Sequence, residues 1–166
     1  MNIMLYGTSC AGKSTLMNLL TKFAYQAVPT GTIVRQLYGI GCQNMPVIMQ
    51  TIIGTLKHDR DYCFDHFYVH TCEQLRDLFG AWPMVIRVIN RRTIKTQHSQ
   101  DPAKIERKQA RFNEQASTIE SFLATNKVPT ITVYNTDYGF DLSELIEHGV
   151  VPYGTLVMMK PEVAND

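Results

Sequence analysis

Short apolar runs alternate with stretches whose apolar positions recur at helical spacing, and that alternation predicts the elements. Residues 2–6, Asn-Ile-Met-Leu-Tyr, form a short apolar run of the kind a buried parallel strand requires. Leu16, Leu19, Leu20 and Phe23 follow at i, i+3, i+4 and i+7, an amphipathic helix. Residues 25–29 predict a short second strand, 30–32 a turn, and 33–38 a helix broken by Gly39 and Gly41. Asn44 is placed to cap a largely buried helix over 45–56. Residues 62–64 form a third strand, and 67–79 a helix stopped by Gly80. Residues 84–89 are the clearest later strand, and a polar stretch, 90–100, follows them. Asp101 and Pro102 then open a long helix striped by Ile105, Phe112, Ala116, Ile119 and Leu123. Residues 129–134 are β-branched and strand-like, and Asp141 with Glu144 resembles a capping box before a short helix ending at Gly149. Residues 150–166 predict no element. Strands alternating with helices imply an α/β fold: three layers, a parallel sheet of about five strands, and helices on both faces.

Length and composition narrow the picture modestly. A chain of 166 residues fits a single domain, 1–166, with a sizeable core. Apolar residues make up 45% and charged residues 19%, ordinary for a globular protein. The net charge of +1 argues against a surface built as a whole to bind nucleic acid. No apolar run approaches the length of a membrane span, and no basic segment followed by an apolar core opens the chain. Cys10, Cys42, Cys63 and Cys72 make no C-x-x-C pair, so a reduced, cytoplasmic protein is expected.

Chemistry concentrates first in Gly7-Thr8-Ser9-Cys10-Ala11-Gly12-Lys13-Ser14-Thr15, which satisfies G-x-x-x-x-G-K-[ST], the phosphate-cradling P-loop. Strand, glycine loop and helix occur in the order the motif demands. Gly7 suits a sharp exit from the strand, and Gly12 a close backbone approach to an oxyanion. The intervening N–H groups and the helix N-terminus form an anion nest. Lys13 is expected to reach the β- and γ-phosphates of ATP and Ser14 to ligate Mg²⁺, while Thr15 supports helix packing beside them. A second group is Asp65, which closes the third predicted strand. Ligands gather at such strand ends, where this carboxylate can manage Mg²⁺ through water or accept a hydroxyl proton. It is also a candidate helix cap.

The P-loop together with Asp65-His66-Phe67-Tyr68-Val69-His70-Thr71 resembles the nucleotide-kinase branch of the P-loop kinases, above all thymidylate-kinase-like members, which carry D-R-Y-x-x-S after the third strand. The resemblance runs through about residues 1–148 in element order, and only the P-loop part is highly specific. It implies that Asp65 is the family's aspartate and Phe67 its aromatic. His66 replaces the arginine that grips an acceptor's phosphate, and an imidazole cannot form that fork. Arg35, after the second strand, is the candidate acceptor-binding arginine. Arg91 and Arg92 are candidates for a lid, about residues 90–111, that brings charge to the transferring phosphate. Asn135 and Asp137 lie in the loop that borders the adenine in related kinases, and Asn and Asp are also common turn residues.

The implied activity is a Mg²⁺-dependent kinase moving the γ-phosphoryl group of ATP to a nucleoside or a (deoxy)nucleoside monophosphate. The expected partners are ATP and that small acceptor, with a homodimer left open and no membrane. Segment 87–111 holds half of the sixteen Lys and Arg residues, which keeps a kinase of another small alcohol or of a nucleic-acid 5′ end in view. For Arg107, Lys108 and Arg111 a solvated helix face is the preferred reading. A third possibility is a nucleotide-binding regulatory module with little turnover. His66 and His70 stand at i, i+4, but Phe67 occupies the place a zinc protease gives to glutamate, so histidine-bound metal is not expected. Asp77-Leu78-Phe79-Gly80 has the letters D-x-x-G but falls in a predicted helix with no N-K-x-D elsewhere, which argues against a GTPase switch.

Overall fold

A computed structural model describes residues 1–8, 10–39, 44–93 and 101–161. Its centre is a seven-stranded sheet of order β2-β3-β1-β4-β5-β6-β7. The strands are β1 (Ile3–Tyr6), β2 (Tyr25–Val28), β3 (Asp61–Phe64), β4 (Met84–Asn90), β5 (Thr130–Thr136), β6 (Gly139–Asp141) and β7 (Met158–Met159). The first five are parallel. Strands β6 and β7 add an antiparallel edge. The expectation of about five parallel strands therefore describes the core and misses the edge. The edge comes partly from the segment after residue 150, where no element was expected.

The sheet divides the core in two because side chains alternate along each strand. Ile3 and Leu5 of β1 face α1 (Lys13–Leu20) and α6 (Ser143–Glu147), with Leu16, Leu19, Leu20 and Leu145 packed on them. Met4 and Tyr6 face the other way, onto α3 (Met45–Gly54), α4 (Val69–Phe79), α5 (Pro102–Thr125) and α2 (Thr30–Tyr38). Both faces of β1 are buried, which is why its sequence is continuously apolar rather than alternating.

Strand order decides where a ligand can sit. The chain leaves β1 and crosses β3 to reach β2, then leaves β3 and crosses β1 to reach β4. Parallel crossovers share one hand, so opposite directions place α1 and α4 on opposite faces. The connections leaving β1 and β3 therefore diverge to opposite faces, and the crevice between them is the ligand position of such a sheet.

Three local expectations are corrected. The predicted turn at 30–32 is helical: α2 begins at Thr30, whose N–H is taken by the Asp65 carboxylate, a long-range bond that local sequence does not reveal. Asn44 occupies the cap position of α3 but makes no side-chain capping bond. Asp141 and Glu144 do not form a capping box. Asp141 accepts from Ser143, while Glu144 accepts from the Thr132 N–H on β5. Strand β6 pairs with β5 only at residues 134–136, so Glu144 supplies the ladder acceptor beyond β6's reach. The Asp101 cap of α5 is formed, with the carboxylate accepting from Ala103 N–H at 3.1 Å.

Candidate active site

The loop after β1 is fixed by two close backbone approaches. A Cβ on Gly7 would lie 2.5 Å from the Val88 carbonyl oxygen of β4, so glycine is required there for space. Gly12 has φ 102°, and a Cβ would also meet the Asn135 amide nitrogen at 2.6 Å. That amide, buried at the end of β5, donates to the Ala11 carbonyl at 3.1 Å. Asn135, expected to border adenine, thus ties the P-loop to the sheet. Cys10 is left-handed too, with φ 65°, and left-handed residues of this kind shape anion-binding loops. Ser9 lies outside the described residues. Thr8 and Ala11 close the turn through Ala11 N–H to Thr8 O at 3.2 Å.

Lys13 opens α1 and folds back over the loop, its ammonium donating to Gly7 O and Thr8 O at 2.8 Å each. Burial lowers its pKa to about 8, while the nearby Asp65 carboxylate pulls the other way. Ser14 and Thr15 follow in the first helical turn, exposed to solvent. Asp65 stands directly after β3, half-buried, and one oxygen accepts Thr30 N–H at 3.0 Å. Tyr68, not Asp65, occupies the cap position of α4, so Asp65 caps α2 instead of the helix that follows it.

The remaining candidates are spread around this pair. His66 keeps exposed surface, yet partial burial lowers its pKa, with the Asp65 carboxylate opposing and the positive charges of Lys13 and Lys108 adding to the shift. Phe67 is buried against Tyr6, with ring centroids 5.9 Å apart, and against Phe122 at 6.4 Å. Arg35 is exposed on α2. Arg91 stacks on the Tyr134 ring at 3.7 Å and donates its N–H to Asn135 O. Arg92 N–H donates to the Asn90 side chain, and Asp137 holds Thr93 through both carboxylate oxygens. Of the expected lid, Asn90 ends β4, residues 94–100 lie outside the described residues, and Pro102 to Arg111 are the first turns of α5.

The reading from sequence missed the wall that α5 builds. A cleft of about 660 Å³ opens onto Gly7, Thr8 and Cys10, between the far half of β4 and α5. Ile105, Gln109, Phe112, Ala116 and Glu120 line it from the helix, and Tyr6, Arg87, Val88, Ile89 and Asn90 from the strands. None of Arg35, His66, Phe67, Arg91 or Arg92 is in that lining. Lys108 lies on the same helical face as Ile105 and Phe112, and its charge is felt at Lys13 and His66. The i, i+3, i+7 spacing of Ile105, Lys108 and Phe112 was the available signal.

A magnesium ion held between phosphates takes one or two protein ligands rather than a full cage. The Ser14 hydroxyl and the Asp65 carboxylate suit that role. Among the described residues there is no group of three or more His, Cys, Asp or Glu side chains that could hold a metal. No helix among them is long and apolar enough to cross a membrane.

No protein-family model matches the sequence, and no curated protein matches it. Among solved structures, the chain is similar to a deoxyadenosine kinase from M. mycoides, described with products dCMP and a flexible dCDP bound. The two are 15% identical with a TM-score of 0.47, over 80% of this chain and 89% of the other. It is also similar to APE1195, at 18% identity and a TM-score of 0.42, over 90% of each chain. Both are resemblances of chain path alone.

Proposed function

We propose that this protein is an ATP-dependent phosphotransferase acting on a small nucleoside or nucleotide acceptor. The observation that supports it is the P-loop sequence directly after β1, with Asp65 directly after the adjacent parallel strand β3 and near enough for its charge to act on Lys13. The loop amides and Lys13 would bind the β- and γ-phosphates of ATP. Ser14 and Asp65 would hold Mg²⁺, which supplies neutralisation of phosphate charge. The acceptor's hydroxyl oxygen bonds to the γ-phosphorus as the β–γ bridging P–O bond breaks. ADP leaves with the electron pair, and the hydroxyl proton passes to the Asp65 carboxylate. Catalysis of this kind is positioning and charge neutralisation, which is what a loop anchored at Val88 and Asn135 provides.

The test is transfer from labelled ATP to a panel of nucleosides and their monophosphates, with Asp65→Asn and Lys13→Met beside the native chain. Transfer to at least one acceptor, cut about a hundredfold or more by either substitution, is expected. No transfer to any acceptor, at enzyme levels where a control kinase works, would remove the proposal. Transfer only to an oligonucleotide 5′ hydroxyl, weakened steeply by salt, would redirect it.

A further inference from the structure

We infer that the cleft between β4 and α5 is the acceptor site, and that it takes an uncharged nucleoside, the base lying on the Tyr6–Phe112 surface beside the Arg87–Glu120 pair. The inference rests on the phosphotransferase reading for its direction and on the cleft for its content. Its size, about 660 Å³, is in the range of small-molecule sites. It opens directly onto Gly7 and Thr8, so an occupant has one end at the phosphate loop. The walls suit a flat ring. Tyr6 and Phe112 lie 5.3 Å apart at 30°, an offset aromatic surface.

The polar groups suit a heterocycle edge and not a phosphate. Arg87 and Glu120 are the charged side chains of the lining, and each is committed to the other. Arg87 Nε donates to Glu120 Oε1 at 2.8 Å and Nη2 to Oε2 at 2.5 Å. The one guanidinium of the lining is therefore taken by a carboxylate, and among the described residues the lining holds no other cationic side chain to offset a monophosphate's charge. A neutral base meets no such penalty. It finds the outer lone pairs of Glu120, the remaining Arg87 N–H groups and the Tyr6 hydroxyl, a phenol that is protonated at neutral pH and able to donate.

The experiment separates binding from transfer. Deoxynucleosides and their 5′-monophosphates are titrated into the full chain holding a non-hydrolysable ATP analogue, and phosphoryl transfer is measured separately. Ala116→Trp fills the cleft from α5, and Phe112→Leu removes one aromatic wall while keeping an apolar side chain. A deoxynucleoside should bind at least about tenfold more tightly than its monophosphate. Ala116→Trp should weaken it more than about tenfold, and Phe112→Leu severalfold, with ATP-analogue affinity unchanged within about twofold. Retained ATP-analogue binding shows that each variant is folded. If Ala116→Trp binds neither ligand, Phe112→Leu alone decides.

Unchanged nucleoside binding in a variant that binds the ATP analogue overturns the assignment of the cleft and leaves the phosphotransferase reading standing. Tighter binding of monophosphates, or no nucleoside binding, overturns the acceptor class. Nucleoside binding that the variants abolish, without any transfer in the native chain, supports the site and removes the phosphotransferase reading.

Discussion

At the scale of single residues, the P-loop depends on two contacts that no motif announces. Gly12→Ala places a methyl group 2.6 Å from the Asn135 amide at φ 102°, so both strain and a lost bond to Ala11 follow. The expected cost is about 2–4 kcal/mol, read by denaturant unfolding, together with loss of ATP binding. A fully stable Gly12→Ala chain would mean that the Asn135 tether is dispensable. Lys13 gives a second prediction. Its pKa, lowered to about 8 by burial, rises when phosphates bind beside it. ATP binding at pH 8 to 9 should therefore take up a proton, seen by calorimetry in buffers of different ionisation enthalpy, and should weaken as pH rises through that window. Lys13→Met should abolish the uptake. Proton release instead would sink the account. The motif letters were legible in sequence. The reasons for the glycines were not, because Val88 and Asn135 approach from strands 81 and 123 residues away along the chain.

At the scale of elements, the periodicity identified the five parallel strands and most helices, since each is set by its own apolar pattern. What it missed was set from elsewhere. The start of α2 is fixed by Asp65, the Glu144 side chain is recruited by β5, and the edge strand β7 exists only as a partner for β6. Removing such a partner should be costly. Glu144→Ala leaves the Thr132 N–H without its ladder acceptor and should destabilise by about 1–3 kcal/mol, whereas Glu147→Ala on the same short helix, exposed, should fall within about 0.5 kcal/mol. Equal effects in unfolding curves would deny Glu144 its place in the ladder. Helix α5 carries the other lesson. Its basic run reads as a solvated face, and Arg107, Lys108 and Arg111 are exposed, while Ile105 and Phe112 beside Lys108 turn to the cleft. Burial lowers the His66 pKa and the Lys108 charge adds a smaller push the same way, so Lys108→Ala should raise that pKa slightly in an NMR titration. No movement would mean that α5 stands farther from the crevice than described.

At the scale of the whole molecule, the site is a junction. The loop after β1, the tip of β3, the end of β5 and the face of α5 meet there only in the folded chain. A ligand that bridges them binds the native state and has no comparable site in the unfolded one. MgATP at a hundred times its Kd should then add about 2.7 kcal/mol of stability. For a chain of this length that is a rise in Tm of about 5–10 °C. The rise should survive Asp101→Ala, which removes the cap of α5 at a cost of about 0.5–2 kcal/mol but leaves the P-loop intact. It should disappear in Lys13→Met, where the anion loses the cation facing it. ATP with a chelator should give a smaller rise than MgATP, because Ser14 and Asp65 are then left beside uncompensated phosphate charge. If MgATP gives the same shift in Lys13→Met as in the native chain, the nucleotide is binding somewhere other than the crevice between β1 and β3, and the proposed catalytic roles of Lys13 and Asp65 fall with it.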